Sequence, residues 1–348
     1  MFSKKVVTVG NVKIGGDNPI VIQSMTNTDT LDFESTLRQI IRLSNAGAEI
    51  VRVSVRTLDD IPSFKKLCEN SNVPLVADIH FDYKVAIEAI KAGASKVRIN
   101  PGNIGAEWKV KEVAKVAKEY GIPIRVGANS GSIKKKYENL VPRYRALAES
   151  ALEEVRILEK IGFDDIVISI KSTDAKENFL ANKCLAEKVQ YPIHIGITEA
   201  GIYEDAVILS SAGLGALLLN YIGDTIRISI AGDPEKEVGV ARKLLTLLGF
   251  KKGPRVIACP TCARTEINVE ELALKVKEWT KDIDKEINIA VMGCVVNGPG
   301  EAKHADIGIA GTKTGGAIFV NGEIVESVSH EKLEETFKRY IEKMNPAN

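Results

Sequence analysis

Three of the five cysteines in the chain have the spacing of metal ligands. Cys259 and Cys262 form a CxxC pair directly after an apolar stretch, and Cys294 follows a second such stretch in VMGCVVNGPGE. The Cys-Pro step and the glycine-rich loop favour an iron-sulfur cluster, because cluster sulfurs accept backbone N–H hydrogen bonds and need close approach of the chain. Glu301, seven residues after Cys294, is a candidate oxygen ligand that exchanges more readily than a thiolate. Such a cluster has one iron open to substrate, which is typical of a catalyst.

A closed structural zinc site is the alternative that the same region leaves open, with Cys259, Cys262, Cys294 and His304 as its four ligands. A lone CxxC also occurs in thioredoxin-like enzymes, but TCARTEINVEE is a poor match to the helix start that such a pair requires. The sequence contains neither a CxxxCxxC spacing nor a flavin or nicotinamide fingerprint. Electrons are therefore expected to arrive one at a time from an external carrier.

Six other apolar stretches carry small or polar residues two positions apart near their C-terminal ends. Residues two apart on a β-strand point to the same face of the sheet. The sets are Arg52/Ser54, Asp78/His80, Arg98/Asn100, Arg125/Gly127/Asn129, Ser169/Lys171 and Arg227/Ser229. In an α/β barrel the C-terminal ends of all strands meet at one mouth, where active sites lie. The spacing therefore predicts that these side chains line a single site.

Five of these side chains are cations from five different stretches. One arginine alone is more often solvated or ion-paired than a ligand contact, but five unpaired cations at one mouth would repel each other strongly. An anion removes this repulsion, and bidentate arginine geometry suits phosphate oxygens. We therefore predict a substrate with two phosphate groups. The substrate-binding candidates, including neutral donors, are Arg52, Arg98, Asn100, Arg125, Asn129, Lys171, Thr198, Arg227 and Ser229.

Three residues are candidates for proton transfer. Glu199 directly follows the stretch HIGIT, and either catalysis or N-capping of the helix predicted for AGIYEDAVILSSAG would explain a carboxylate there. Asp78 and His80 are the other candidates. His194 stands at the start of its stretch, where a structural or indirect role is expected.

Eight short β-branched stretches alternate with amphipathic helical stretches over the first 250 residues or so. The strand stretches are 19–25, 49–55, 74–80, 96–100, 123–129, 165–171, 192–198 and 225–232. Helical stretches between them close on Gly47, Gly93 and Gly162, which are expected C-caps. This alternation predicts a (β/α)8 TIM-type barrel over residues 1–249, rather than an open, doubly wound sheet. After the Gly/Pro stop FKKGPR, residues 250–348 predict a smaller α+β domain that carries the cluster.

Composition restricts the class of protein further. Lys and Arg total 47 against 46 Asp and Glu, a formal net charge of +1 that argues against a nucleic-acid-binding surface. The chain has no run of eighteen uncharged apolar residues, and its first residues predict a hairpin instead of a signal peptide, so we expect a cytoplasmic enzyme. Cys68 and Cys184 lie in helical patterns, where small buried hydrophobes are expected.

The motifs SMTNTDT, ADIHFD, VRINPGN, HIGITEAG, GDTIRISI, CPTCAR and VMGCVVNGPGEAKHADIGIAG occur in this order along nearly the whole chain. Together they resemble the 4-hydroxy-3-methylbut-2-enyl diphosphate synthases of the methylerythritol phosphate route to isoprenoids, in a compact two-domain form. The pair CPTC and GCVVNGPGE is highly specific. The chain departs from the family pattern at Ala263, where Gly is expected after the second Cys, and at Tyr221, which replaces the first Gly of NGIGD.

The resemblance implies the reductive ring opening and dehydration of 2-C-methyl-D-erythritol 2,4-cyclodiphosphate. It implies a [4Fe-4S] cluster on Cys259, Cys262, Cys294 and Glu301, two electrons from ferredoxin or flavodoxin, and Glu199 as a proton donor near the cluster. It also implies a homodimer whose active site is shared between subunits. The alternative from the residues alone is a zinc-stabilised barrel lyase or transferase acting on a phosphorylated substrate, and a non-enzymatic sensor is a further one.

Overall fold

A computed structural model of the protein describes residues 3–296 and 305–344. The chain divides into two compact units, Met1–Leu248 and Gly249–Asn348.

The first unit is a parallel eight-stranded barrel preceded by an antiparallel hairpin. The hairpin strands are β1 (Val7–Val9) and β2 (Val12–Ile14). The barrel strands are β3 (Val21–Met25), β4 (Ile50–Ser54), β5 (Leu75–Asp78), β6 (Lys96–Arg98), β7 (Ile124–Asn129), β8 (Ile166–Lys171), β9 (His194–Ile195) and β10 (Thr225–Ile226). Their order is β8-β7-β6-β5-β4-β3-β10-β9, and a parallel bridge between Ile168 and Ile193 joins the two ends of this order. Each predicted stretch contains one strand, so the barrel is confirmed and the open doubly wound sheet was wrong.

Helices follow the barrel strands and cover the outside of the barrel. They are α1 (Phe33–Asn45), α2 (Ile61–Asn70), α3 (Tyr83–Lys91), α4 (Pro101–Ile104), α5 (Glu107–Tyr120), α6 (Arg143–Lys160), α7 (Ala175–Ala186), α8 (Tyr203–Leu219) and α9 (Pro234–Leu247). The predicted cap residues Gly47, Gly93 and Gly162 all have positive φ angles, which confirms them as helix ends. In the part of the chain that the structure describes, no helix has both the length and the apolar character that crossing a bilayer requires.

The hairpin closes the N-terminal end of the barrel. Val9 and Ile14 from β1 and β2 form one buried cluster with Val21, Ile50 and Val76 at the starts of three barrel strands. Burial of such side chains is worth roughly 2 kcal/mol each. The hairpin therefore buries apolar side chains at the N-terminal ends of these three strands.

Tyr221 occupies a strained backbone position after helix α8. Its φ angle is +57°, in the left-handed region that favours glycine, and its N–H donates to the Leu218 carbonyl at 2.8 Å. The family pattern has glycine at this position. The departure noted in the sequence therefore falls where a side chain has a conformational cost.

We expect a Tyr221→Gly variant to be more stable than a Tyr221→Ala variant by about 1 kcal/mol, because both lack the phenol ring and only alanine keeps the strained Cβ. Urea unfolding of the two variants side by side measures this difference. Equal stability, or a more stable alanine variant, would show that this backbone conformation carries no cost.

Within its described residues, the second unit is a five-stranded mixed sheet with two α-helices. Its strands are β11 (Pro254–Ala258), β12 (Ile287–Met292), β13 (Ile307–Thr312), β14 (Gly315–Val320) and β15 (Glu323–Ser329), and its helices are α10 (Val269–Trp279) and α11 (Leu333–Met344). Strands β11, β12 and β13 are parallel, while β13, β14 and β15 are antiparallel. Apolar residues of both helices pack on one face of the sheet. This α+β arrangement agrees with the sequence prediction.

Candidate active site

A buried carboxylate organises two arginines at the upper end of the barrel. Asp78, Arg98 and Arg125 are register partners on neighbouring strands β5, β6 and β7, so they stand at one level. Asp78 is 4% exposed, with Oδ1 3.3 Å from Nη1 of Arg98 and Oδ2 3.7 Å from Nε of Arg52. Burial alone would raise the pKa of Asp78, but the charge of Arg52, the His80 imidazole 3.6 Å away and the charges of Arg98 and Arg125 hold it well below the ordinary value. Asp78 is therefore an anion at neutral pH.

Arg227 is held by a carboxylate that the sequence analysis did not identify. Glu237, a buried residue of helix α9, accepts from Nε and Nη2 of Arg227, each at 3.2 Å, and from the backbone N–H of Ile230 at 3.1 Å. In the sequence Glu237 looks like one of several surface carboxylates of DPEKEVGV, and no pattern distinguishes it. Only the packing of α9 against the barrel reveals its role.

The side chains of two of the predicted cations are buried and have no hydrogen bond or ion pair with another described residue. Arg125 is 1% exposed and its Nε has no hydrogen-bond acceptor, and Lys171 is 7% exposed. Burial and the charges of neighbouring arginines lower the pKa of both side chains well below their ordinary values. Gly196 gives Lys171 its space, since a Cβ there would lie 2.7 Å from the lysine Nζ. These two side chains are the strongest indication of an external anion.

The sequence analysis treated the five cations as unpaired, but the structure pairs three of them with carboxylates of the chain. Arg52, Arg98 and Arg227 interact with Asp78 or Glu237, so the protein itself supplies part of the compensating charge. Burial nevertheless lowers the pKa of Arg52 to about 10, with Arg227 and Arg98 adding to the effect and Asp78 opposing it. Positive charge therefore remains in excess over these two carboxylates.

A second group of buried polar residues lies within the barrel. Lys96 is fully buried, and in the described part of the chain its Nζ has one hydrogen bond, to Oε1 of Gln23 at 3.3 Å. His194 is also fully buried, with Nδ1 2.7 Å from the Thr225 hydroxyl, and no described residue is a partner for its Nε2. Burial, followed by the charges of Lys171, Arg125, Lys96 and Arg52, lowers the pKa of His194 well below its ordinary value. The expectation of a structural or indirect role for His194 stays a prediction.

Lys96 could have been found from the sequence. It stands two residues before Arg98 and four before Asn100. Because side chains alternate along a strand, all three are expected on one face. Its burial, followed by the charges of Arg125 and Arg52, lowers its pKa well below the ordinary value. Folding therefore deprotonates this lysine or buries its charge, and either has a free-energy cost.

We expect Lys96→Met to raise the free energy of unfolding by about 2 kcal/mol near pH 7. Because the pKa of Lys96 is lower in the folded chain, unfolding takes up a proton, and the stability of the unmodified protein rises as the pH approaches the lysine pKa of about 10.4. The advantage of the methionine variant should therefore shrink with rising pH. Urea titrations at pH 7 and pH 9.5 measure both effects, with Lys65→Met on the exposed side of α2 as control. A destabilised Lys96→Met variant would show that the ammonium group is favourably held.

The proton-transfer candidates lie in different environments. His80 is half-exposed, with Nε2 3.6 Å from Asp78 Oδ2 and Nδ1 3.4 Å from Nη1 of Arg98. Glu199 is exposed and has a φ angle of +53°, and helix α8 has Ile202 as its N-cap residue, so Glu199 does not cap this helix. A strained non-glycine residue in the loop after a barrel strand is typical of a functional position.

The neutral donors predicted for the site are half-buried at the strand ends. They are Asn100, Asn129, Thr198 and Ser229. Asn129 is a register partner of Lys171, and the Thr198 N–H donates to the Ser172 carbonyl at 3.2 Å. Their contact with a substrate stays a prediction.

In the second unit, two cysteine loops leave the same edge of the sheet. Ala258 on β11 is the parallel register partner of Val291 on β12, so the residues that follow both strands emerge together. The backbone N–H of Gly293 donates to Sγ of Cys259 at 3.0 Å. This is the amide-to-sulfur contact that the sequence analysis expected of a cluster loop.

The Cys262 thiol loses its proton more readily than an ordinary cysteine. It is exposed, and the backbone N–H of Arg264 lowers its pKa, with Thr265 and the Arg264 guanidinium acting in the same direction. Ala263, which lies between Cys262 and Arg264, has no positive φ angle, so this departure from the family pattern causes no backbone strain. By contrast, burial raises the pKa of Cys68 to about 12, as expected of an unreactive helical cysteine.

Cys259, Cys262 and Cys294 do not form a closed metal site in the structure. Over residues 3–296 and 305–344, no three His, Cys, Asp or Glu side chains lie close enough to hold a metal ion. Glu301 and His304, the candidate fourth ligands for the cluster and for zinc, lie outside the described residues. The three thiols and the Gly293 amide fit an iron-sulfur group chemically, because soft sulfur donors and an amide aimed at sulfur are what it requires.

A closed α/β barrel with a cationic mouth, followed by an α+β unit with paired cysteine loops, is the arrangement expected of an enzyme that acts on an anionic substrate. The GcpE TIM-barrel domain matches residues 4–242, and the GcpE C-terminal domain matches residues 255–343. The chain belongs to the GcpE family, which is a family of iron-sulfur proteins.

Curated relatives match over nearly their whole length. The chain is 54% identical to the 4-hydroxy-3-methylbut-2-en-1-yl diphosphate synthase (flavodoxin) of Thermotoga petrophila, covering 98% of both chains. The enzymes of that name from Caldanaerobacter subterraneus and Clostridium acetobutylicum are 53% and 50% identical, over 97% of this chain and 96% and 98% of theirs. This membership confirms the prediction of an oxidoreductase of the methylerythritol phosphate route and does not favour the zinc-stabilised lyase or transferase.

Solved structures show the same fold at low sequence identity. Dihydropteroate synthase from Yersinia pestis has a TM-score of 0.52 at 15% identity, covering 71% of this chain and 98% of its own. The N-acetylneuraminic acid synthetase of Leptospira borgpetersenii has a TM-score of 0.51 at 16% identity, covering 81% and 98%. These likenesses concern the fold alone.

Proposed function

We propose that the barrel mouth binds 2-C-methyl-D-erythritol 2,4-cyclodiphosphate and that the cysteine loops hold the [4Fe-4S] cluster that delivers two electrons to it. The ring opens, the C3 hydroxyl leaves as water, and the product is 4-hydroxy-3-methylbut-2-enyl diphosphate. The single observation that carries the binding role is the burial of Arg125 and Lys171 without a described partner. An anionic ligand with several phosphate oxygens supplies the missing acceptors.

The cationic residues of the mouth form two groups with different roles in binding. Arg52 and Arg98 are fixed by Asp78, and Arg227 is fixed by Glu237, so these guanidinium groups are oriented before the ligand arrives. Arg125 and Lys171 gain charge compensation when the phosphates bind. Arg125 and Lys171 also stabilise the negative charge that develops on the phosphate leaving group as the ring opens.

Proton transfer to the departing hydroxyl is assigned to Glu199, with His80 as the second candidate. Both are accessible to a ligand at the mouth, whereas Asp78 is an anion locked between arginines and serves to hold them. Glu199 makes no described hydrogen bond or ion pair that would immobilise its carboxyl group. Asp78 is accordingly proposed to act in positioning and charge balance.

A bound cluster supplies the electrons of this reaction one at a time. Cys259, Cys262 and Cys294 are proposed as its thiolate ligands and Glu301 as its fourth ligand. The Gly293 N–H already donates to Cys259 Sγ, which is the kind of contact that a ligand sulfur accepts. Flavodoxin, named in the relatives, is the proposed electron donor, and ferredoxin is the alternative. A homodimer with a shared active site and a cytoplasmic location stay predictions.

Calorimetric titration with the cyclodiphosphate tests the binding role. We expect Arg125→Met to weaken binding about a hundredfold, because a buried charge-assisted contact to phosphate is worth several kcal/mol. Arg38→Met on the exposed face of α1 is the matched control and should bind like the unmodified protein. Unchanged affinity in the Arg125 variant would place the substrate elsewhere.

A further inference from the structure

Met25, the last residue of β3, lies between two of the proposed phosphate-binding arginines. Its Sδ accepts hydrogen bonds from Nε and Nη2 of Arg52 at 3.1 and 2.9 Å. On its other side, Nη1 of Arg227 lies 3.8 Å from the same sulfur. The thioether is therefore in contact with two cationic groups at once.

This arrangement is unusual because the same mouth holds stronger acceptors. Arg52 reaches the Asp78 carboxylate only at 3.7 Å, while two of its N–H groups are directed at the weakly accepting sulfur. Arg227 is fixed from the opposite direction by the two oxygens of Glu237. Arg52 and Arg227 thus pair with different carboxylates, and Met25 lies between the two arginines.

We infer that Met25 is a positioning residue for substrate binding, which keeps the guanidinium groups of Arg52 and Arg227 oriented and apart. The inference rests on the proposed phosphate-binding role of these arginines. A neutral, polarisable sulfur is suited to this place, because it satisfies guanidinium N–H groups without neutralising them. A carboxylate there would compete with the substrate for both cations.

Without the sulfur, Arg52 loses the single acceptor of two of its hydrogen bonds and turns towards Asp78, which is its other described partner. Its N–H groups are then taken by a protein carboxylate and are no longer presented to phosphate. The loss falls on ground-state binding, so KM changes more than kcat. Replacing a residue that only fills space would not change KM more than kcat.

The experiment compares Met25→Leu, which keeps the volume and removes the acceptor, with Met25→Gln, which supplies an amide oxygen in its place. KM and kcat for the cyclodiphosphate are measured anaerobically, together with inhibition by inorganic pyrophosphate as a probe of the anion site. We expect Met25→Leu to raise KM and the pyrophosphate inhibition constant about five- to tenfold with kcat within about twofold, and Met25→Gln to recover most of this loss.

Ile22→Leu, on the outward face of the same strand, is the control and should leave both constants unchanged. If Arg52→Met and Arg227→Met raise KM but Met25→Leu does not, the role of Met25 is wrong and the proposed function stands. If neither arginine variant changes KM, the proposed binding site itself is wrong. An equal effect of Ile22→Leu, or a Met25→Gln variant as impaired as Met25→Leu, would reduce Met25 to a packing residue.

Discussion

Cys294→Ser is expected to lose turnover by a factor of about a thousand or more, together with the broad absorbance near 400 nm of the reconstituted protein. A serine hydroxyl is a hard oxygen donor with a much higher pKa than a thiol, so it replaces a thiolate poorly on iron. Cys294 lies directly after Gly293, whose N–H contacts Cys259 Sγ, so the loss affects a loop already joined to the other cysteine loop. Iron content, absorbance and activity are measured after anaerobic reconstitution.

Cys184→Ser is the matched control for this variant. Cys184 is a free cysteine within helix α7 of the first unit, so its replacement should leave iron content and turnover unchanged. Full activity and a full iron content in Cys294→Ser would remove this cysteine from the ligand set. Stoichiometric zinc in the active, unmodified protein would instead support the closed zinc site.

Asp78→Asn is expected to have the second largest effect, lowering kcat/KM about a hundredfold and the free energy of unfolding by about 3 kcal/mol at pH 7. The reason is the position of this carboxylate between Arg52 and Arg98, at 3.7 and 3.3 Å, with Arg125 at the same level. Asparagine keeps the shape and removes the charge, so the buried arginines lose an anion that partly balances their repulsion. Steady-state kinetics and urea unfolding measure the two effects.

The pH dependence of stability provides a separate measure of the charge of Asp78. Because the pKa of Asp78 is lower in the folded than in the unfolded chain, its contribution is complete above about pH 5 and is lost as the pH falls towards the folded value. The stability of Asp78→Asn should therefore decline less steeply below pH 5 than that of the unmodified protein. Asp59→Asn, an exposed carboxylate, is the control. Parallel acid profiles for all three proteins would contradict the assignment of Asp78 as a paired anion.

The barrel and its mouth could be predicted from the sequence because strand alternation is local. Arg98 and Arg125 stand at defined positions of short apolar stretches, and parallel strands bring such positions to one edge. Lys96 carried the same signal and was overlooked. The predicted helix ends at Gly47 and Gly93 also depend only on neighbouring residues.

The pairing of the arginines could not be predicted, because it depends on tertiary packing. Glu237 reaches Arg227 from helix α9, and Met25 reaches Arg52 from a strand 27 residues earlier. Neither residue has a type or spacing that distinguishes it from a surface glutamate or a core methionine. The strain at Glu199 is likewise a property of the folded backbone, although the position of this residue after a strand had already made it a candidate.

Anaerobic turnover of 2-C-methyl-D-erythritol 2,4-cyclodiphosphate by the cluster-loaded protein, with dithionite and a viologen dye as reductant, tests the central claim most directly. We predict that phosphorus NMR detects 4-hydroxy-3-methylbut-2-enyl diphosphate, with two electrons consumed per product molecule, and that Cys294→Ser forms none. The account would be contradicted if the protein carries its full complement of iron, binds the cyclodiphosphate and is reduced by dithionite, but does not open the ring.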